Sequence, residues 1–460
     1  MNILMNRQGD VFTERNGILI PVNAASPLSD VDREIVKQLS AEPSAHFYKT
    51  PYHKVAGVKD NCIVDFFNLT PGDFSPGSPF DTFYAVQQYQ DGMLVLPRMY
   101  LYPTARCNCN CTICQFQDRH KHGVQLDPLE MHLALNTFHA YCSNIQEQTL
   151  IVSGDGEPLL YPALYELLCS AFNYNMRIFL TTNLTIPDSD GLYEMLTQCS
   201  MITISIKGLT ALAYAKYQGL HNQLIFDQVL FNLEKLLKLR EKAGRKTKCL
   251  IGITSLILPE NSSVYRSFIN HAASIGIDYL YFNQVEPSCK KYGIIFTDAE
   301  KTETLCQLQE YATAPHKNLT VRVSSDPFRQ LDNNTVYFDA CKLRENKEIC
   351  GSALFNPLVM ADSNGKAKML ACRNSDLFDK PEFSYRFKNG YEIDNISIIS
   401  VMNAVRGCSD CRLERQVRHF DKMLTLAKQY REGCEYLLVF DLKKLKEQAY
   451  AFIHFESIVR

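Results

Sequence analysis

Residues 107–114 read Cys-Asn-Cys-Asn-Cys-Thr-Ile-Cys, and within them Cys107, Cys111 and Cys114 stand in the order C-x3-C-x2-C. Thiolates are soft ligands that select zinc or iron–sulfur clusters. This spacing supplies three sulfurs from one tight loop, whereas a closed zinc site or an ordinary four-iron cluster takes four protein ligands. A cluster held by three thiolates keeps one iron open to chelate the amino and carboxylate groups of a small molecule. Cys109 lies between the ligands and His120 and His122 follow, so a four-ligand zinc site can also be drawn. An alternating Cys-Asn-Cys-Asn-Cys strand cannot aim every sulfur at one metal. Only a wrapped loop brings 107, 111 and 114 together, and Cys109 then reads as a spectator.

Outward from this loop, short apolar runs alternate with amphipathic stretches, the signature of repeated strand-helix units and a parallel sheet. Strands are expected at Arg98–Arg106, Gln148–Ser153, Arg177–Thr182, Met201–Ile206, Lys248–Leu258 and Asp278–Asn283. Helices are expected at Asp127–Cys142, Tyr161–Asn173, Asp188–Cys199, Leu224–Ala243 and Ser262–Ile275, where apolar residues recur at i, i+3, i+4. The fold class is α/β, with six strands enough for a partial barrel. The cysteine loop follows the first strand, and barrel chemistry sits on the loops after the strands' C-terminal ends.

At 460 residues the chain suits two or three domains. We place an N-terminal extension at 1–95, the partial barrel at 96–325 and a cysteine-rich region at 326–460. The extension carries a hairpin around Val11–Val22, a helix at Asp30–Ser40 and a Pro/Gly-rich stretch from Pro71 to Pro79. A net charge of −2 and pI near 6.6 argue against bulk attraction to nucleic acid or an anionic membrane. Neither a nucleic-acid motif, a signal peptide nor a run of ~18 apolar residues is present. These features read as a cytoplasmic enzyme. Seventeen cysteines there are better explained by metal than by disulfides. The isolated ones, Cys62, Cys142, Cys169, Cys199, Cys249, Cys289 and Cys306, read as small buried hydrophobes.

Further motifs end the later strands. Ser153-Gly154-Asp155-Gly156-Glu157-Pro158 closes the second, Thr182-Asn183 the third, Ser205-Ile206-Lys207-Gly208 the fourth and Asn283-Gln284-Val285-Glu286-Pro287 the sixth. Gly-Asp-Gly alone is a common turn, and Asn, Ser and Gly favour strand ends regardless of function. Taken with C-x3-C-x2-C, however, the set resembles the radical S-adenosylmethionine (SAM) superfamily. That resemblance implies a (β/α)6 partial barrel with a SAM-binding [4Fe-4S] cluster on Cys107, Cys111 and Cys114. Gly154, Asp155, Gly156 and Glu157 correspond to the family's G-G-E-P element, with Asp155 in place of its first glycine. Glycines let backbone approach closely, and that backbone can accept from the SAM ammonium. Ile113 takes a position where the family often has an aromatic residue against adenine, and Asn183, Ser205 and Lys207 are expected to reach SAM.

After residue 325 the periodicity fades and cysteines return at 341, 350, 372, 408 and 411. This region resembles SPASM or twitch extensions, which hold auxiliary clusters. It departs from the SPASM pattern in having six residues between Gly365 and Cys372 and Val417 where a further cysteine belongs. One auxiliary [4Fe-4S] cluster is therefore expected, on Cys341, Cys350, Cys408 and Cys411, leaving Cys372 as a spare thiol. The other partition makes Cys372 a ligand and Cys341 structural. Residues 414–431 read as an amphipathic helix.

A spare thiol implies a reaction. In this family a 5′-deoxyadenosyl radical abstracts hydrogen from an unactivated carbon, and a thiol on the opposite face can return one with inversion. The chain is most similar to radical SAM peptide epimerases of ribosomal peptide (proteusin) pathways. This implies a precursor peptide substrate and an electron donor such as flavodoxin or ferredoxin, with 1–95 serving either to bind the leader or as an extension that caps the barrel. The alternatives are a SPASM-type crosslinking or sulfatase-maturing enzyme, and a zinc-binding adaptor.

Overall fold

In a computed structural model of the chain, the described residues are six strands among the first 68, as backbone, and most of 94–406. Within the latter, 142–147, 246–248, 284–293, 314–318, 324–349, 373–376, 389–391 and some single positions and pairs fall outside the description. The expected helices at 30–40 and 414–431 lie outside it, as do the Pro71–Pro79 stretch, Cys341, Cys408 and Cys411.

The parallel strands form where the apolar runs predict them. They are β1 (Arg98–Tyr102), β2 (Thr149–Val152), β3 (Arg177–Thr182), β4 (Met201–Ser205), β5 (Leu250–Leu256) and β6 (Tyr279–Asn283). Parallel neighbours need crossovers, supplied by α1 (Pro128–Ala140), α2 (Leu164–Asn173), α3 (Leu192–Leu196), α4 (Ala211–Gln218), α5 (Leu224–Lys242) and α6 (Tyr265–Ile275). Asp127 caps α1 by accepting from the Leu129 amide at 2.8 Å, and Pro128 opens the helix. The expected helix at 188–199 shrinks to α3, because Gly191 is left-handed at φ 76° and the Asp188 carboxylate caps Tyr193 from outside the helix.

Past the six strands the sheet grows at both edges. After α7 (Asp298–Thr313), β7 (Thr320–Val323) pairs parallel with β6. At the other edge β8 (Leu358–Ala361) pairs parallel with β1, and β9 (Ala367–Leu370) and β10 (Ser384–Tyr385) add antiparallel. The order is β7-β6-β5-β4-β3-β2-β1-β8-β9-β10. One sheet thus runs on past residue 325.

Both faces of this sheet are apolar, as expected of parallel strands. Met99, Leu101, Leu150, Val152, Ile178 and Leu180 meet the helices on one face. The other face is rich in aromatic residues: Tyr100, Tyr102, Phe179 and Tyr281 lie there with Ile151, Leu358, Met360 and Leu370, joined by Phe116 and Phe378. Of the isolated cysteines, Cys199 and Cys249 are buried as expected, whereas Cys306 is exposed. In the N-terminal extension Val11–Arg15 and Ile18–Val22 make the expected hairpin, with Ile3–Met5 alongside. His46–Lys49, Lys54–Lys59 and Cys62–Asn68 make a second antiparallel sheet.

Candidate functional site

The cysteine loop leaves the C-terminal end of β1 and is closed at its base. The Ala105 amide donates to the Val124 carbonyl at 2.7 Å and the Leu126 amide to that of Pro103 at 2.9 Å, so residues 107–123 form a loop on an antiparallel rung. The Cys114 amide reaches the Cys111 carbonyl at 3.1 Å, and the Gln117 side chain donates to that carbonyl at 2.5 Å. This is the wrapped loop that the spacing requires.

Cys107, Cys111 and Cys114 are half-buried, and Cys109 is buried. Cys109 is more engaged than a spectator: its sulfur accepts from the Asn183 side-chain amide at 3.2 Å and lies 3.8 Å from the Gln218 side-chain nitrogen. The neighbouring Cys107 and Cys111, with burial, push the Cys109 thiol up, whereas Cys109 draws that of Cys111 down. Burial pushes Cys114 up to about 12, with the Lys207 charge acting against it. His120 Nε2 lies 3.8 Å from the Cys114 sulfur. Among the described residues, no three His, Cys, Asp or Glu side chains converge where a single metal ion could sit.

The Gly154–Glu157 segment packs on the loop's root. A Cβ on Gly156 would run into the backbone carbonyls of Thr104 and Arg106, and the Arg106 carbonyl accepts from the Glu157 amide at 2.8 Å. Glu157 is turned inward. One carboxylate oxygen accepts from the Thr182 hydroxyl at 2.6 Å and the Leu159 amide at 3.0 Å, the other from the Asn183 amide at 2.6 Å. Burial pushes its pKa up to about 6 despite these donors. The carboxylate therefore positions the ends of β2 and β3. Asp155 is equally buried and is paired with Arg119 of the helical turn Gln117–His120.

Asn183 is the hinge between β3 and the cysteine loop. Its amide donates to Asn108 at 2.9 Å as well as to Cys109, and its oxygen accepts from Thr185. Ser205 is buried at the end of β4, and the Lys207 carbonyl accepts from Ser255 and Leu256 at 3.3 Å. Ile113 is buried against the helix-side core. Cys107, Cys111, Cys114, Ile113, Gly154–Glu157, Asn183, Ser205 and Lys207 thus share the mouth of the sheet. Soft thiols, glycine backbone and a nearby ammonium fit a [4Fe-4S] cluster and SAM.

Residues 101–257 match the Radical SAM superfamily. This stretch is a radical SAM domain. Radical SAM enzymes bind a [4Fe-4S] cluster and SAM. Among solved structures the chain is similar to Streptococcus suis SuiB bound to precursor peptide SuiA, at 15% identity and TM-score 0.50 over 76% of each chain. It is also similar to native anSMEcpe with bound AdoMet and Cp18Cys peptide, at 13% identity and TM-score 0.44 over 79% of this chain and 98% of that one. At such identities the likeness to SuiB is one of fold. No curated protein matches the sequence.

The domain holds residues that the motifs did not flag. Phe116 lies edge-on to Tyr102 with ring centres 6.2 Å apart and stacks on Phe378 at 6.4 Å, so the C-terminal region reaches the cysteine loop. Helix α4 buttresses the loop from the other side: the Tyr217 and Gln218 carbonyls accept from Thr112 and Asn110 at 3.1 Å. Thr210 and Gly219, an N-cap and a left-handed C-cap, are the sequence signal that brackets α4.

The structure does not bring Cys372 to this mouth. Strand β9 runs antiparallel, and its last residue Leu370 pairs with Leu358, which pairs with Tyr100. The end of β9 therefore points away from the mouth, and Cys372 follows it two residues further, past a bend at Ala371. Cys372 and Cys350 are both half-buried against the helix-side core.

Proposed function

We propose that this chain is a radical SAM peptide epimerase that inverts L-residues of a ribosomally made precursor peptide to D-residues. The reading is supported above all by the mouth of the sheet, where the three-cysteine loop, the Gly154–Glu157 segment, Asn183 and Lys207 meet. When bound, a [4Fe-4S] cluster and SAM would supply the radical chemistry that takes hydrogen from an unactivated carbon. The chain's own residues hold and shield that chemistry. Cys107, Cys111 and Cys114 would hold the cluster, and the backbone of Gly154 and Gly156 would accept from the SAM ammonium. Tyr102, Phe116 and Phe378 are buried against one another beside the loop and would keep water from that side. A peptide is the first substrate to test because SuiB was solved with a precursor peptide.

Inversion needs a hydrogen atom on the opposite face. A cysteine S–H bond breaks as the new Cα–H bond forms, and one electron and one proton restore the resulting thiyl. An electron donor such as flavodoxin or ferredoxin would supply the electron, and an auxiliary [4Fe-4S] cluster, held by the C-terminal cysteines, would relay it. Of the five cysteines 341, 350, 372, 408 and 411, one cluster uses four. Sequence spacing leaves Cys372 spare. Its place beyond the end of β9, which runs away from the mouth, favours the other partition, in which Cys372 is a ligand and Cys341 is spare.

A second reading, peptide crosslinking, draws on the same placement of Cys372, since it returns no hydrogen. Co-expression with a precursor peptide encoded alongside the chain, in deuterated water, separates the two by mass spectrometry. Epimerisation adds one deuterium per inverted residue, whereas crosslinking gives a product two hydrogens lighter with none gained. An unmodified peptide with SAM still cleaved would sink both.

A further inference from the structure

We infer that Gln218 donates a hydrogen bond to the Cys111 thiolate and tunes the SAM-binding cluster, with Tyr214 orienting its amide. Gln218 ends α4 and is only 1% exposed. Its side-chain oxygen lies 3.1 Å from the Cys111 sulfur, and its nitrogen lies 3.4 Å from the Tyr214 hydroxyl and 3.8 Å from the Cys109 sulfur. In this orientation Cys111 is the donor, as a thiol. A cysteine that ligates iron is a thiolate and can only accept.

Turning the amide through 180° resolves the conflict. The nitrogen then sits 3.1 Å from the Cys111 sulfur as a donor, and the oxygen accepts from the Tyr214 hydroxyl at 3.4 Å and faces the Cys109 thiol at 3.8 Å. Every partner acquires matching polarity, and no atom has to travel. Tyr214 is fully buried, so its hydroxyl is held for this role. The loop's docking on α4 is separate, because it uses the Tyr217 and Gln218 backbone carbonyls, which any substitution keeps.

N–H donation to a cluster sulfur withdraws charge and favours the reduced state, so it raises the reduction potential. The inference rests on Cys111 being a cluster ligand, and wild-type protein that binds no iron on anaerobic reconstitution would remove that basis rather than test Gln218. The test compares wild type with Gln218→Met, Gln218→Glu and Tyr214→Phe in the full chain. It reads iron content together with the potential and EPR g-values of the cluster signal that SAM perturbs. Gln218→Met, similar in length but without a donor, should keep its iron, lower the potential and shift the g-values. Gln218→Glu should lower the potential further, and Tyr214→Phe less. Iron retained with unchanged potential and g-values in Gln218→Met overturns the inference. Should both Gln218 variants lose iron, Tyr214→Phe decides, with a lowered potential supporting the role and an unchanged one overturning it.

Discussion

Arg119 and Asp155 form an ion pair between the turn after the cysteine loop and the glycine segment that ends β2. Asp155 is 2% exposed, and burial raises its pKa while Arg119 opposes the shift. The Arg119 guanidinium also lies 5.9 Å from the centre of the Phe378 ring, which stacks on Phe116. Where the family's element has a glycine, this chain thus buries a carboxylate and supplies its partner from the neighbouring loop. Arg119→Met should cost about 3–5 kcal/mol at pH 7, because it strands a buried charge. Asp155→Gly should cost less, since it leaves a partly exposed arginine, and the double variant should recover much of the Arg119→Met loss. Urea unfolding of the three proteins checks this, and strictly additive losses would contradict the coupling.

Glu157 has the opposite pH signature from a carboxylate that the fold stabilises in its charged form. Burial raises its folded pKa from 4.5 to about 6. The protonated form is favoured in the fold, so that stabilisation is complete below pH 4.5 and lost as pH rises through 6. The change is about 2 kcal/mol. Glu157→Gln, which cannot ionise, should flatten stability against pH over this window. It should also be less stable at pH 7, because its amide nitrogen faces a donor, either the Asn183 amide or that of Leu159. Parallel pH profiles for the two proteins would show that Glu157 does not titrate there.

The six barrel strands were legible because strands buried on both faces leave near-continuous apolar runs, as residues 99–102 show, every one of them buried. Helix α4 escaped the same reading. Ala213, Tyr214, Ala215, Tyr217 and Gln218 are all buried, so no polar stripe marks its period. The Phe116–Phe378 stack was illegible for another reason: it joins residues 262 positions apart through strands β8 and β9, whose pairing no local pattern announces. Gly219 carries the overlooked contact. It is left-handed at φ 63°, and a Cβ would enter the Asn110 backbone. Gly219→Ala should therefore displace the cysteine loop and lower iron content after reconstitution, whereas Gly244→Ala, with open space around it, should not.

Iron counting tests the number of clusters. With one cluster at the mouth and one in the C-terminal region, reconstituted protein should hold about eight irons, and Cys107→Ala/Cys111→Ala/Cys114→Ala about four. The triple variant should form no 5′-deoxyadenosine under reducing conditions, whereas Cys109→Ala should still form it. A wild-type content near twelve would mean a second auxiliary cluster.

The two partitions of the C-terminal cysteines make opposite predictions for single variants. If Cys372 returns the hydrogen, Cys372→Ala keeps about eight irons, cleaves SAM and yields little D-residue product. If Cys372 is a ligand, the same variant loses iron, and Cys341→Ala is the one that keeps its iron yet fails to invert. The antiparallel run of β9 carries the chain away from the mouth before Cys372 is reached, so the second pattern is expected. Iron analysis, 5′-deoxyadenosine yield and deuterium incorporation read both patterns from the same samples. Full epimerisation by Cys372→Ala and Cys341→Ala alike would move the hydrogen donor outside this pair. Retained iron with lost inversion in Cys372→Ala alone would place that thiol at the substrate and require β9 and the residues after it to take another arrangement when the peptide binds.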